Sequence, residues 1–434
     1  MSFHETNNCC GRRPADKSLV GGTLAIPPGL PAQAKTRILF VDDEPAMLRV
    51  LKLGMRSMAE SWEMDFAISG EAALALMENK EFDVIVSDMR MPGINGAQLL
   101  NHALRHHPRT VRIILSGYSD LVEVVSCVGL THQFLEKPCS LEDIKNCLKR
   151  VTEVKKRLTN EKISGLAGSL QNLPSLPELY LEIAEALESP TVSAQRIADI
   201  ASQDPAIAAK LLQLSNSAFF GFSQEVFSVA EAVQLLGVSV VQSLAMTVPL
   251  FTSFERAKCP SFPIDEIWEH SVQTGHLAQR IFAQRLNDSF LSEQAFCAGM
   301  LHDIGKIILA DGLPVEYAAV MQESRETLTP LFEVERKYFQ ATHAEIGAYL
   351  LALWGLPIPL VEAVANHHLP RQCGTRELCL AGVVHIANVL QHAQARDPAI
   401  MASRVDSGYL AFVGLERQFE LWRTEFAGEG AECA

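Results

Sequence analysis

The sequence predicts two folds in series: a doubly wound α/β domain on a five-stranded parallel sheet, then an all-α domain. Three observations predict it. From Arg37 to about residue 150, short apolar runs alternate with helical patterns, as they do where strands are joined by crossover helices. From Glu178 onward strand signals vanish and a helical period dominates. Between the two, Gly165 to Pro177 carries two glycines and the break Leu173-Pro174-Ser175-Leu176-Pro177, a boundary set by turn formers. Length agrees, since 434 residues make roughly two or three domains at ~150 residues each. With 48% hydrophobic and 20% charged residues, the chain has the balance of a folded globular protein.

Residues 1–35 hold Gly21-Gly22 and Pro27-Pro28-Gly29-Leu30-Pro31 with no period and read as a flexible leader. Ile38-Leu39-Phe40-Val41 is an unbroken apolar run ending in Asp42-Asp43, a buried parallel strand whose carboxyl end meets solvent. Ala46 to Met58 follows as a helix with Met47, Leu48, Leu51 and Met55 on one face. Further strands are expected at Met64 to Ile68, Val84 to Ser87, Val111 to Leu115 and Gln133 to Leu135. Helices are expected at Gly70 to Asn79, Gly96 to His107 and Leu121 to Leu130, with a last one beginning at Leu141. The first domain thus spans 36–150. Its last helix runs on through Ile144, Leu148, Val151 and Leu158, close to a heptad seam but for only about two heptads. A plain helical linker over 151–172 is favoured; a homodimer through the 140–160 helix is the alternative. The helical domain occupies 173–425, and 426–434 are expected to fray.

Net charge is −14, which argues against a broad nucleic-acid face, because neutralising phosphates takes clustered Lys and Arg. The best apolar run, Gly237 to Phe251, is interrupted by Ser239, Gln242, Ser243 and Pro249, so no membrane span is expected. Ten scattered cysteines without a CxxC read as reduced thiols, and the start of the chain lacks a signal pattern, so a cytoplasmic protein is expected.

In a doubly wound sheet, ligands bind outside the carboxyl ends of the strands. Asp42 and Asp43 fall there after the first strand, Asp88 after the third, Ser116 after the fourth and Lys137 after the fifth. Three converging carboxylates call for a hard cation, and oxygen-only ligation suits Mg²⁺. The set describes a site where Asp88 attacks phosphorus to form an acyl phosphate, with Lys137 and Ser116 holding the product's oxygens. Phe40-Val41-Asp42-Asp43-Glu44-Pro45, Val86-Ser87-Asp88-Met89-Arg90-Met91-Pro92-Gly93, Leu115-Ser116-Gly117-Tyr118 and Phe134-Leu135-Glu136-Lys137-Pro138 resemble the four motifs of a response-regulator receiver domain, a flavodoxin-like fold. The resemblance implies that Asp88 is the phosphoacceptor and that Asp42, Asp43, Asp88 and the backbone carbonyl of Arg90 bind Mg²⁺. It also implies that Ser116 is the switch hydroxyl and Phe134 the aromatic that follows it inward.

Eight of the thirteen histidines lie after residue 260. His270, His302-Asp303, His343 and His367-His368 could form a metal site on facing helices, and imidazole with carboxylate suits Fe, Mn or Zn. Lys306, four residues after His302 and so one turn further on the same helix face, is placed to meet a phosphate. His276, His385 and His392 are read as structural. Asp204-Pro205-Ala206, Leu214-Ser215-Asn216-Ser217, Trp268-Glu269-His270-Ser271, Gly299 to Lys306, His343-Ala344-Glu345-Ile346-Gly347, Trp354-Gly355-Leu356-Pro357 and His367-His368 in series resemble the HDOD family. That family is a relative of the HD phosphohydrolases and HD-GYP phosphodiesterases. Asn388 stands where the catalytic relatives carry a last metal-binding aspartate, and the Gly-Tyr-Pro loop is missing after His368. The resemblance implies a regulator phosphorylated by a sensor histidine kinase, whose helical output domain binds a downstream protein or a nucleotide without hydrolysis and without DNA contact. A receiver-gated, metal-dependent phosphohydrolase is the alternative.

Overall fold

The computed structural model describes residues 35–427 except 118–126, 128, 158–159, 171–172, 176–178, 180–181, 184, 187–188, 190–191, 218–219, 221, 223, 239, 242–251, 254–258, 287–288 and 394–404. The expected leader, most of the helix expected at 121–130 and residues 428–434 of the expected tail lie outside the described residues.

Five apolar runs become strands: β1 (Thr36–Val41), β2 (Trp62–Ala67), β3 (Val84–Asp88), β4 (Val111–Gly117) and β5 (Gln133–Lys137). They pair in parallel in the order β2-β1-β3-β4-β5. The central strands are continuous apolar runs because helices cover both faces. Helix α1 (Pro45–Gly54) is shorter than expected and gives way to a 3₁₀ turn at Arg56–Met58. The Leu141 side chain packs where a Cβ on Gly54 would lie. Helix α2 (Gly70–Asn79) is capped by the Ser69 hydroxyl, and α3 (Gly96–His106) by a reciprocal Asn95–Gln98 capping box. Helix α4 (Leu141–Arg157) closes this half. Its expected seam residues Ile144, Leu148 and Val151 are buried within the chain. The stripe is therefore already used, which counts against a homodimer built on it. The segment expected as a linker continues in a second helix, α5 (Glu161–Ser169), with Ile163 and Ala167 in the core.

Beyond it come α6 (Ala194–Ala201), α7 (Pro205–Ser215), α8 (Val229–Leu236), α9 (Ile264–Leu286), α10 (Ser289–Leu301), α11 (Ile304–Gly312), α12 (Pro314–Thr327) and α13 (Leu331–Phe339). The series ends with α14 (His343–Leu353), α15 (Ile358–Asn366), α16 (Leu380–Ala393), α17 (Ser407–Val413) and α18 (Glu416–Ala427). One expectation is corrected here: strands do not vanish, because Pro174–Ser175 and Thr252–Ser253 pair as a two-residue parallel ladder, β6 with β7. Such short pairings leave no periodic trace. Of the tail expected from residue 426, Phe426 is buried and Ala427 ends α18.

The two halves meet along the amino-terminal ends of β4 and β5. Arg112 on β4 is buried and donates to the carbonyls of Leu130 (2.6 Å), Thr110 (3.1 Å) and, on α5, Gly168 (2.8 Å). Burial lowers its pKa to about 9. Gln133 at the start of β5 donates to the carbonyl of Leu353, which ends α14, at 2.7 Å. Gly355 (φ 80°) follows, and a Cβ there would strike the Gln133 amide. On α7, Lys210 lies over the Trp354 ring at 4.4 Å.

Candidate functional sites

At the carboxyl edge of the sheet, β1, β3, β4 and β5 deliver the expected side chains to one place. Asp42 is buried, Asp43 and Asp88 are half-buried, and Ser116 is buried. The Lys137 ammonium lies 2.6 Å from Asp88 Oδ1 and 3.0 Å from Asp42 Oδ2. Asp42 Oδ1 accepts the Glu44 N–H at 2.9 Å. Burial raises the pKa of Asp88, the Lys137 ammonium opposes that rise, and the neighbouring Asp42 adds to it. Burial alone would lower Lys137, but its bonds to Asp88 and Asp42 prevail and hold it raised. Two carboxylates share one ammonium, with Asp43 next to Asp42 along the chain, which leaves an excess of negative charge among oxygen donors and fits a hard divalent cation. Arg90 is exposed at the rim. Phe134 is already 1% exposed, so in this conformation the aromatic expected to move inward is inside.

The second set assembles because three helices approach closely. A Cβ on Gly299 would strike Gly275 of α9, and one on Gly305 would strike the His343 carbonyl. These glycines let α9, α10 and α11 close on the start of α14. The chain breaks between α10 and α11 at His302-Asp303, turning both side chains inward. This corrects the expectation that Lys306 shares a helix face with His302: Lys306 is on α11, and its ammonium pairs with Asp303 Oδ2 at 2.5 Å.

Asp303 is the hub. Its carboxylate is 3.2 Å from His343 Nε2, 3.3 Å from His302 Nε2, 3.8 Å from His270 Nε2 and 3.9 Å from His367 Nε2. His302 Nδ1 meets the Gly299 carbonyl at 2.6 Å and His367 Nδ1 the Val364 carbonyl at 2.8 Å. A carbonyl only accepts, so both rings carry their proton on Nδ1 and aim a lone pair inward from Nε2. Nε2 of His270, His302 and His367, with Asp303 Oδ1 and Asn388 Oδ1, are buried without a hydrogen-bond partner. Two groups, His270-His302-Asp303 and His343-His367-His368, have metal-holding geometry. These nitrogen and oxygen donors fit a first-row divalent ion. Burial lowers His270 to about 3 and takes His367 and His368 well below the usual range. Burial would also lower His343, but Glu335 and Asp303 hold it raised.

Glu335 was not legible in the sequence. It is buried on α13, accepts from His343 Nδ1 and from the His343 N–H at 2.7 Å each, and accepts the Tyr317 hydroxyl at 3.0 Å. No spacing rule links it to His343; only the fold of α13 against α14 does. His392 stacks on His270 at 4.5 Å, and His385 Nδ1 donates to the His367 carbonyl at 2.8 Å. Both support the cluster, whereas His276 packs against Phe296. A cavity of about 380 Å³ opens beside it, lined by Lys306, Arg325, His343, His368, Asn388 and His392.

Comparisons with known proteins bear on both sites. The family model described as the response regulator receiver domain matches residues 38–149, and the one described as the HDOD domain matches residues 173–370. An uncharacterized protein of Treponema pallidum is 28% identical over 214 residues, covering 48% of this chain and 40% of that protein. The chain spans less than half the length of the curated relatives it matches first. Among solved structures, the MmoQ response regulator of Methylococcus capsulatus is 25% identical, with a TM-score of 0.44 over 56% of this chain and 98% of that one. A virulence factor of Campylobacter jejuni, 19% identical, shares the fold with a TM-score of 0.50 over 63% of this chain and 99% of its own.

Proposed function

Because this chain is a response regulator that joins a receiver domain to an HD-related HDOD domain, we propose that Asp88 accepts a phosphoryl group from a sensor histidine kinase in the cytoplasm. Its phosphorylation then controls how the helical domain binds a partner protein or a nucleotide. The observation that carries the first step is the Lys137 ammonium bridging Asp88 and Asp42. An Asp88 oxygen forms a bond to phosphorus as the bond from phosphorus to the donor breaks. Lys137 then pairs with a phosphoryl oxygen and Ser116 donates to another. Asp42, Asp43, Asp88 and the Arg90 carbonyl would hold Mg²⁺, which when bound offsets charge on those oxygens. Incubated with Mg²⁺ and acetyl phosphate, the full chain is expected to gain one phosphoryl group, mapped to Asp88. Asp88→Asn is expected to gain none. Phosphate on another residue, or undiminished labelling of the variant, sinks the proposal.

Binding rather than hydrolysis is supported by two features of the cluster. The Lys306 ammonium already neutralises Asp303, and Asn388 offers an amide where the hydrolytic relatives would have a carboxylate. A second reading, a receiver-gated phosphohydrolase, is favoured by the inward lone pairs of His302 and His367. His270, His302, Asp303, His343 and His367 would hold an Fe, Mn or Zn ion, which supplies Lewis acidity toward a phosphate ester. Elemental analysis after chelator-free purification, with hydrolysis assays on cyclic dinucleotides in Mn²⁺ or Fe²⁺, separates the readings. Binding alone predicts no turnover in either phosphorylation state. Turnover that disappears in Asp303→Asn establishes the hydrolase.

A further inference from the structure

Glu335 is wholly buried, and a carboxylate kept from water is costly unless donors surround it. Three do. The backbone N–H of His343 donates to Oε2 at 2.7 Å, the His343 ring meets the same oxygen through Nδ1 at 2.7 Å, and the Tyr317 hydroxyl donates to Oε1 at 3.0 Å. An ionised carboxylate accepts from all three at once, so the His343 proton sits on Nδ1. The anchor behind it is itself held, since Tyr317 is buried with the Phe262 and Phe339 rings 6.1 and 6.4 Å away. Nε2 of His343 then turns a lone pair toward the cluster, 2.9 Å from His368 Nε2 and 3.2 Å from Asp303 Oδ1. His343, His367 and His368 present their nitrogens closely enough to hold one ion. The partners behind these rings differ in charge. His302 and His367 rest Nδ1 on the backbone carbonyls of Gly299 and Val364, whereas His343 rests on a carboxylate.

We propose that Glu335 is a positioning residue for a first-row divalent ion: its carboxylate, anchored by Tyr317, fixes His343 as the Nδ1–H tautomer and makes its Nε2 a stronger donor than that of His367. The proposal rests on the metal-holding reading of the cluster. Glu335 does not touch the ion; it acts through the imidazole in two ways. The bonds at Oε2 to both the ring and the backbone of His343 leave the ring one orientation. The negative charge behind Nδ1 also pushes electron density toward Nε2, which a neutral carbonyl does less well. Nε2 of His343 and Nε2 of His368 lie 2.9 Å apart, so one proton stands between them. With the His343 proton already on Nδ1, that one belongs to His368. Ligation by both nitrogens replaces it, and His343 becomes a ligand without any change in its own protonation.

The test uses the full chain in excess Mg²⁺, which occupies the acidic edge of the sheet. Titration with Zn²⁺ and with Co²⁺ is expected to show a binding step that His343→Gln removes. Glu335→Gln is expected to weaken that step ~10–100-fold and to shift the visible absorption of bound Co²⁺. The amide keeps the shape, an oxygen for the His343 donors and an NH₂ that the Tyr317 hydroxyl can accept, so a merely structural link survives the swap. A step that survives His343→Gln, or one that Glu335→Gln leaves unaltered in affinity and spectrum, overturns the proposal and leaves the metal-holding reading standing. No binding step in the parent overturns both. A measurement on the parent alone keeps the question decidable if Glu335→Gln misfolds. Nitrogen NMR of the Zn²⁺-loaded, histidine-labelled chain is expected to find the His343 proton on Nδ1, and a proton on Nε2 sinks the proposal.

Discussion

Lys210 carries a consequence that can be worked out from one side chain. It lies on α7 with 3% of its surface exposed, its ammonium over the Trp354 ring. Burial lowers its pKa to about 7 from a reference of 10.5. The folded value lies below the unfolded one, so between about pH 7 and 10.5 the unfolded chain binds the extra proton more tightly. Stability is therefore expected to rise with pH across that window, and the full cost of the buried charge is present below pH 7. The cation–π contact offsets part of that cost. Lys210→Met is expected to flatten this slope and to raise stability at pH 6 by ~1–3 kcal/mol. Urea midpoints at pH 6 and 9 check it; a variant as pH-dependent as the parent rules it out. Asp303 is the contrasting case, because its charge is paired with the Lys306 ammonium and faces His343, whose own pKa is raised. The same burial that penalises Lys210 is offset there, and the carboxyl is held well below its usual range.

Two elements span the distance between the sites. β5 begins with Gln133, which bonds to Leu353, and ends four residues on with Lys137 in the acidic edge, about 13 Å at strand rise. α14 ends with Leu353 and begins with His343 in the cluster, about 15 Å at helix rise. Its start is fixed by a capping box between Thr342 and Glu345, so a shift at Leu353 is carried along a rigid rod. If phosphorylation acts through this path, hydrogen exchange in residues 353–356 and 205–215 is expected to rise once Asp88 is phosphorylated. Gln133→Ala is expected to accept phosphate normally yet lose that response. An unchanged exchange pattern in the phosphorylated parent would exclude the path.

Over the whole molecule, the two chemistries occupy separate regions joined by a polar junction. Arg112, His132, Gln133, Lys210 and Gln213 are all buried there, and Thr131 Oγ1, Arg150 Nε and Gln213 Oε1 have no hydrogen-bond partner. A junction with unsatisfied polar atoms costs more to keep closed than an apolar core does, and it gives up less when it opens. That is the character expected of a contact a phosphoryl group could release. Among the described residues no helix is long and apolar enough to cross a membrane.

The sequence by itself determined the sheet, its five strands and the residues at its carboxyl edge. Strand ends lie where apolar runs stop, and Asp42, Asp88, Ser116 and Lys137 each follow such a stop. It also determined the histidines, whose motifs run in series along the helical half. Only the tertiary structure decided that α1 would stop at Gly54, that β6 and β7 would pair, and that Lys306 would turn to Asp303. Only the structure also brought Glu335 to His343 and the Ile144–Val151 stripe into this chain's own core. The reason is that periodicity reports which face of an element is apolar, whereas these outcomes depend on which distant element covers that face. In the helical half that is set by glycines at close crossings, whose effect has no period to read.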